Sequence, residues 1–154
     1  MSQVTGVPSR FPGFPVGTRA LQLPDTQVKS EFLTSFGRPP RIICDAGERS
    51  SEPSILQALN VINGDTLNKK LSDPNGYAAL ALKLGLSDTK IIDHLFLSAY
   101  SRYPSDAERQ ATVESLKTSR TMKGSADVQR DTRQKALEDM TWALLTSKEF
   151  LFNY

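Results

Sequence analysis

Between Ser87 and Ser101 the stretch SDTKIIDHLFLSAYS puts Ile91, Ile92, Leu95, Phe96 and Ala99 within about 140° of one another around a helix axis. A stripe that wide and that apolar needs other helices to cover it. Glycine and proline then set how long those helices can be. Asp73-Pro74-Asn75-Gly76 has the residues of a turn, and Gly85 is placed to stop a short helix over Tyr77 to Leu84. Asp65 can cap a short helix that contains Leu67 and Leu71. Pro104-Ser105-Asp106-Ala107-Glu108 is a capping box in which the Ser105 hydroxyl accepts from the Glu108 N–H while Glu108 reaches back.

Upstream, Asp25 or Thr26 starts a helix through about Phe36, with Val28, Phe32, Leu33 and Phe36 at helical spacing and Gly37 behind it. Pro39-Pro40 forces Arg38 to Ser50 into an irregular loop, with a very short extended piece at Arg41-Ile42-Ile43-Cys44. Ser51-Glu52-Pro53 opens the next helix, whose apolar face runs from Ile55 to Ile62. The last helix takes in ALEDMTWALLTSKEFLFNY. There Met140, Trp142, Ala143, Leu144 and Leu145 point in nearly every direction, which predicts a centre enclosed on all sides. From Met1 to Pro24 the chain holds Pro8, Pro12, Pro15 and Pro24 with Gly6, Gly13 and Gly17, a density that predicts extended and turn structure. The fold class that follows is all-α: an irregular bundle of about six or seven helices over 25–154, preceded by a proline-rich extended N-terminal arm over 1–24.

Composition excludes several function classes. At 154 residues the chain buries roughly 68–70% of the surface its unfolded form exposes, so it needs no staples to fold. Its 19 basic and 17 acidic residues leave a formal charge of +2, too small to argue for nucleic acid or an anionic membrane as partner. No apolar run reaches the roughly 20 residues of a transmembrane segment. The opening MSQVTGVPSRFPGFPVG lacks the charged-then-apolar pattern of a signal peptide. One cysteine, Cys44, and one histidine, His94, cannot make a Cys/His zinc cluster or a haem attachment motif. A purely carboxylate metal site stays open in principle, but no Asp-x-Asp-x-Asp-Gly loop supports it, and no metal and no cofactor are expected in this chain.

The richest chemistry lies in the Arg38 to Arg49 loop. Arg38, Arg41 and Arg49 offer forks that suit carboxylate, sulfate or phosphate, and Asp45 and Glu48 could divide acid and base roles. These five residues form the candidate ligand-binding set. The competing reading is that they pair with one another and with backbone groups to hold an irregular loop between two helices, since such a loop must satisfy its own backbone. Cys44 as a nucleophile needs a base, and His94 lies about 130° from the core stripe, so a buried thiol and a surface imidazole are the plainer reading. Ser101-Arg102-Tyr103-Pro104 can be read as a recognition turn with an exposed aromatic; the plainer reading is a local Arg102 ion pair with Tyr103 packed as a staple before the capping box. Lys117, Arg120, Lys123, Arg130, Arg133 and Lys135 could mark an anionic partner, but they are interleaved with Asp127 and Asp131, and a solvated face is the plainer reading.

Five ordered blocks resemble a known family: GTRALQLPD, FLTSFGRPPR, CDAGERSSEPSILQALNVING, LFLSAYSRYPSDAE and ALEDMTWALLTSKEFLFN. They are similar to the planctomycete-type domain-of-unknown-function family fifteen-fifty-three, over about Gly17 to Tyr154. That family forms the C-terminal part of large proteins that often carry a planctomycete cytochrome-c-like domain. The resemblance implies an uncharacterised helical domain, a structural or interaction module of a larger exported or periplasmic protein, with that protein's upstream domains as its partners. The alternative it leaves is part of an enzyme site that binds an anionic or carbohydrate ligand through the Arg38 to Arg49 loop. Many relatives show Cys-x-Cys-Glu-Arg where this chain has Cys44-Asp45-Ala46-Gly47-Glu48-Arg49, so a paired-cysteine role does not carry over.

Overall fold

The fold was taken from a computed structural model, which describes residues 1–23, 28, 30, 33–34, 64–120 and 125–151. Among the described residues it is all-helical: seven α-helices, one 3-10 turn and no strand. The chain divides into two compact units, Met1–Val7 with Lys69–Tyr154, and Pro8–Asn68.

The first unit holds α1 (Ser2–Thr5), α3 (Tyr77–Lys83), α4 (Asp88–Tyr100), α5 (Asp106–Arg120), α6 (Ala126–Thr146) and α7 (Lys148–Leu151), together with the end of α2 (Asp65–Leu71). Helix α4 is the hub. Its stripe is buried as its spacing predicts, with Ile91 and Ile92 fully covered and Leu95 and Phe96 nearly so. Helices α1, α5, α6 and α7 all pack against it. Leu116 of α5 and Leu137, Leu144 and Leu145 of α6 complete this core. The long α6 is not enclosed on every side as its residue pattern predicts, because Ala143 is exposed and Trp142 half-buried. It also stops at Thr146, and α7 follows a break at Ser147, where the backbone turns extended (φ −67°, ψ 155°).

The short helices owe their ends to local chemistry. Gly85 takes φ +62° beyond α3, donating its N–H to the Leu82 carbonyl at 3.1 Å, while the Leu86 N–H reaches the Ala81 carbonyl at 3.1 Å. This pair of bonds is a Schellman motif, available cheaply only to glycine. Before α3, the Asp73 carboxylate accepts the Asn75 N–H at 2.8 Å and the Asp73 carbonyl accepts the Gly76 N–H at 2.8 Å, which makes the expected turn. A Cβ at Gly76 would lie 3.0 Å from the Asp73 carbonyl oxygen, so the close backbone approach there needs glycine.

The proline-rich segment does contain a helix, α1, because Ser2 to Thr5 precede Pro8, the first residue whose ring would break one. Val4 is 2% exposed. The segment is tied down by the buried Lys70, whose ammonium donates to the Val7 carbonyl at 2.7 Å and the Ser2 hydroxyl at 3.2 Å. Burial pushes the Lys70 pKa down against the opposing pull of Asp73.

In the second unit, Leu33 and Thr34 are helical and the Thr34 N–H bonds the Ser30 carbonyl at 3.0 Å. The helix expected from Asp25 or Thr26 does not run through Val28, which lies in a bend, or Ser30, which is non-helical and whose hydroxyl instead accepts the Leu33 N–H at 3.3 Å. The other residues of the helices expected over 25–36 and 51–62, and the loop between them, lie outside the described residues.

Ser101 ends α4 in the left-handed region at φ 57°, the one non-glycine residue with positive φ among the described residues, and its N–H bonds the Leu97 carbonyl at 3.0 Å. An L-residue is strained there. Ser101→Gly should therefore stabilise the protein by about 0.5–1 kcal/mol and raise the thermal midpoint by roughly 2–4 °C, read by scanning calorimetry.

Candidate functional site

The predicted ligand set of Arg38, Arg41, Asp45, Glu48 and Arg49, and Cys44 beside it, lies outside the described residues. The functional surfaces that the described residues do offer are two polar clusters, one aromatic pair and an exposed apolar face.

The first cluster centres on Arg102, just past α4. Nη1 and Nη2 hold Glu108 of α5 at 2.9 and 2.8 Å, Nε and Nη2 hold Glu149 of α7 at 2.7 and 2.8 Å, and Nη1 also donates to the Tyr103 carbonyl at 3.2 Å. Every N–H of the guanidinium is used. Its carbon stands 5.6 Å from the Phe96 ring centre and 5.3 Å from that of Tyr100, within cation–π range. The Tyr100 hydroxyl donates toward Ser147 at 2.8 Å, and burial raises its pKa. The local ion pair predicted for Arg102 is thus present. The partner that sequence reasoning missed is Glu149, 47 positions away, for which no local spacing gives a signal. Tyr103, by contrast, is 63% exposed and does not act as a staple; with Ser105 as the cap, the residue just before it is Pro104, and Pro104 is the one that is buried.

Glu108 also closes the predicted capping box: it accepts the Ser105 N–H at 2.8 Å and the Ser105 hydroxyl at 2.8 Å, and its own N–H reaches that hydroxyl at 3.4 Å. The Arg102 fork first, then the Ser105 backbone and hydroxyl, hold the Glu108 carboxyl down at about 2, and Arg102 lowers Glu149 as well. Both carboxylates stay ionised and occupied near neutrality. They act as structural acceptors, not as proton donors.

The second cluster joins α6 to the start of α4. Arg133 Nη2 donates to Asp88 Oδ1, with only 13% of the Arg133 side chain and 10% of the Asp88 side chain exposed. Arg133 was expected on a solvated face; it is instead drawn inward because a buried carboxylate needs a cation. Lys135, which pairs Asp131 at 3.1 Å, and Lys117, which pairs Glu114 at 3.7 Å, are well exposed as that reading expects, and Lys123 and the Arg120 side chain lie outside the described residues. A further bridge, Arg109 to Asp93 at 2.6 Å, links α5 to α4.

His94 is exposed, as predicted, but it is not isolated. Its ring stacks on Tyr77 of α3, with centroids 4.2 Å apart and planes 15° apart. The Tyr77 hydroxyl is buried without a hydrogen-bond partner among the described residues, and burial pushes its pKa up to about 12. Among the described residues no group of three or more His, Cys, Asp or Glu could hold a metal ion. No described helix is long and apolar enough to cross a membrane.

The apolar surface is more distinctive. On α3, Ala78, Ala79 and Ala81 are buried while Leu80 and Leu84, one helical turn apart, are 43% and 73% exposed. In the second unit the 3-10 turn Ala20–Gln22, fixed by the Arg19 N–H on Gln22 Oε1 at 2.9 Å, presents Leu21 at 99% exposure, with Val16 at 64%. Phe11 and Phe14 are half-buried.

No family model, no curated protein and no solved structure matches this chain.

The Arg102 cluster makes stability depend on pH in a defined direction. The depressed Glu108 pKa means its contribution is complete above the unfolded value of about 4.3 and is lost as pH falls toward about 2. Glu108→Gln should therefore flatten the loss of urea stability between about pH 4.5 and 2.5. It should also lower stability at pH 7, where the wild-type pair is intact.

Proposed function

We propose that this chain is a structural and interaction module of a larger, exported planctomycete-type protein, and that it docks on preceding domains of the same polypeptide. The observation that carries this reading is the Leu80 and Leu84 face of α3. A short helix holds its alanines inward and sets two large side chains one turn apart in solvent. Neighbouring exposed leucines are the kind of apolar surface that a contact site uses. Leu21 and Val16 add a second apolar surface in the other unit.

The polar chemistry supports the same reading. Arg102 with Glu108 and Glu149, Arg109 with Asp93, and Arg133 with Asp88 are cross-helix ion pairs that spend their charges on holding helices together. The five blocks that resemble the family supply the context of a larger protein.

The double variant Leu80→Ser, Leu84→Ser separates docking from folding. On the 154-residue chain alone it should lower the unfolding free energy by only about 1 kcal/mol, from helix propensity and the covered part of Leu80. In the longer natural polypeptide it should speed limited proteolysis at the junction before this domain. Loss of several kcal/mol in the isolated chain, or unchanged proteolysis in the longer one, refutes the reading.

A further inference from the structure

The first unit contains a cleft of about 490 Å³ between the end of α3 and the first three turns of α6. One wall is apolar, made by Leu82, Leu86 and Ala126. The other is polar and basic, made by Gln129, Arg130 and Arg133, and no carboxylate is among the lining residues. Its size falls within the range of small-molecule sites, which pair apolar walls with a few convergent polar groups.

The two arginines differ in how their charge is used. Arg133 is held in place by Asp88 through Nη2, yet its Nη1 is buried with no hydrogen-bond partner among the described residues. Buried donors are rarely left unmade, so an unfilled N–H on a cleft-lining arginine calls for an acceptor. Arg130, one turn earlier on α6, is exposed and forms no ion pair among the described residues. Asp131 beside it is taken by Lys135. Asp88 offsets Arg133, so Arg130 supplies the net positive charge of the cleft.

We propose that this cleft binds a small organic anion: a carboxylate or phosphate monoester whose head lies on Arg130 and Arg133 and whose short apolar body lies on Leu82 and Leu86. Guanidinium forks take both head groups, and the leucines favour a ligand with an aliphatic chain over a bare ion. Asp88 acts as a positioning residue, fixing the Arg133 fork. The site is independent of the α3 docking face, whose Leu80 and Leu84 are not among the lining residues.

The test is a titration of the full chain followed by amide and arginine side-chain NMR, with sodium hexanoate, hexyl phosphate, inorganic phosphate and 1-hexanol as separate probes. Hexanoate or hexyl phosphate should shift Gly85, Ala126, Gln129 and the Arg133 N–H signals saturably, with Kd on the order of 1 mM. The tighter of the two identifies the head group. Inorganic phosphate and hexanol should bind about tenfold more weakly, each lacking one half of the contacts. Arg130→Gln, at an exposed position, should leave the thermal midpoint unchanged and weaken the hexyl anion about tenfold. Absence of saturable shifts with both hexyl anions, equal binding of inorganic phosphate or hexanol, or unaltered binding by Arg130→Gln overturns the proposal.

Discussion

The architecture of the first unit depends on burying one face of α4. Ile91, Ile92, Leu95 and Phe96 sit within four per cent of complete burial, and full burial of such side chains contributes about 1.5–3 kcal/mol each. No single neighbour can cover a stripe so broad. Helices from both ends of the chain are therefore drawn onto it: α1 from the N-terminal segment, and α5, α6 and α7 from the C-terminal part. The short α3 and the Schellman turn at Gly85 follow from the need to bring the chain back to the start of α4.

Electrostatics then lock what packing brings together. Arg102 stands where α4 ends, where α5 begins and where α7 returns, and its planar fork can grip a carboxylate from each of the last two at once. A lysine could not make both bidentate contacts while also facing Phe96 and Tyr100. Arg133 makes a single such contact, Nη2 to Asp88, at the other end of α4, where Asp88 is buried. In each case the acid is committed to its arginine, which is why the ionic clusters read as joints of the bundle and the exposed leucines of α3 as its outward surface. At the second joint the Nη1 of Arg133 has no partner among the described residues, and Arg133 is one of the residues that line the cleft.

What could be read from the sequence was what is local. The α4 stripe, the Ser105–Glu108 capping box, the Asp73–Gly76 turn and the Gly85 stop all depend on residues within a few positions of one another, and each appears as the spacing requires. The Arg102–Glu149, Arg133–Asp88 and Tyr77–His94 contacts join residues 47, 45 and 17 positions apart in the chain, and spacing carries no record of them. The helix at Ser2–Thr5 was hidden by reading one proline density over the whole segment, although the four residues lie ahead of the first ring. The long α6 misled for a related reason: apolar residues around an axis do not imply neighbours around it, and Ala143 faces solvent.

The central claim is that the apolar face of α3 exists to be covered by another part of a larger polypeptide. Hydrogen exchange measured on the 154-residue chain and on the longer polypeptide that this proposal requires tests it most directly. The account predicts added protection in the longer protein over Tyr77–Lys83, with exchange at the centre of α4 unchanged because that helix is already buried. Identical exchange over Tyr77–Lys83 in the two forms would contradict it.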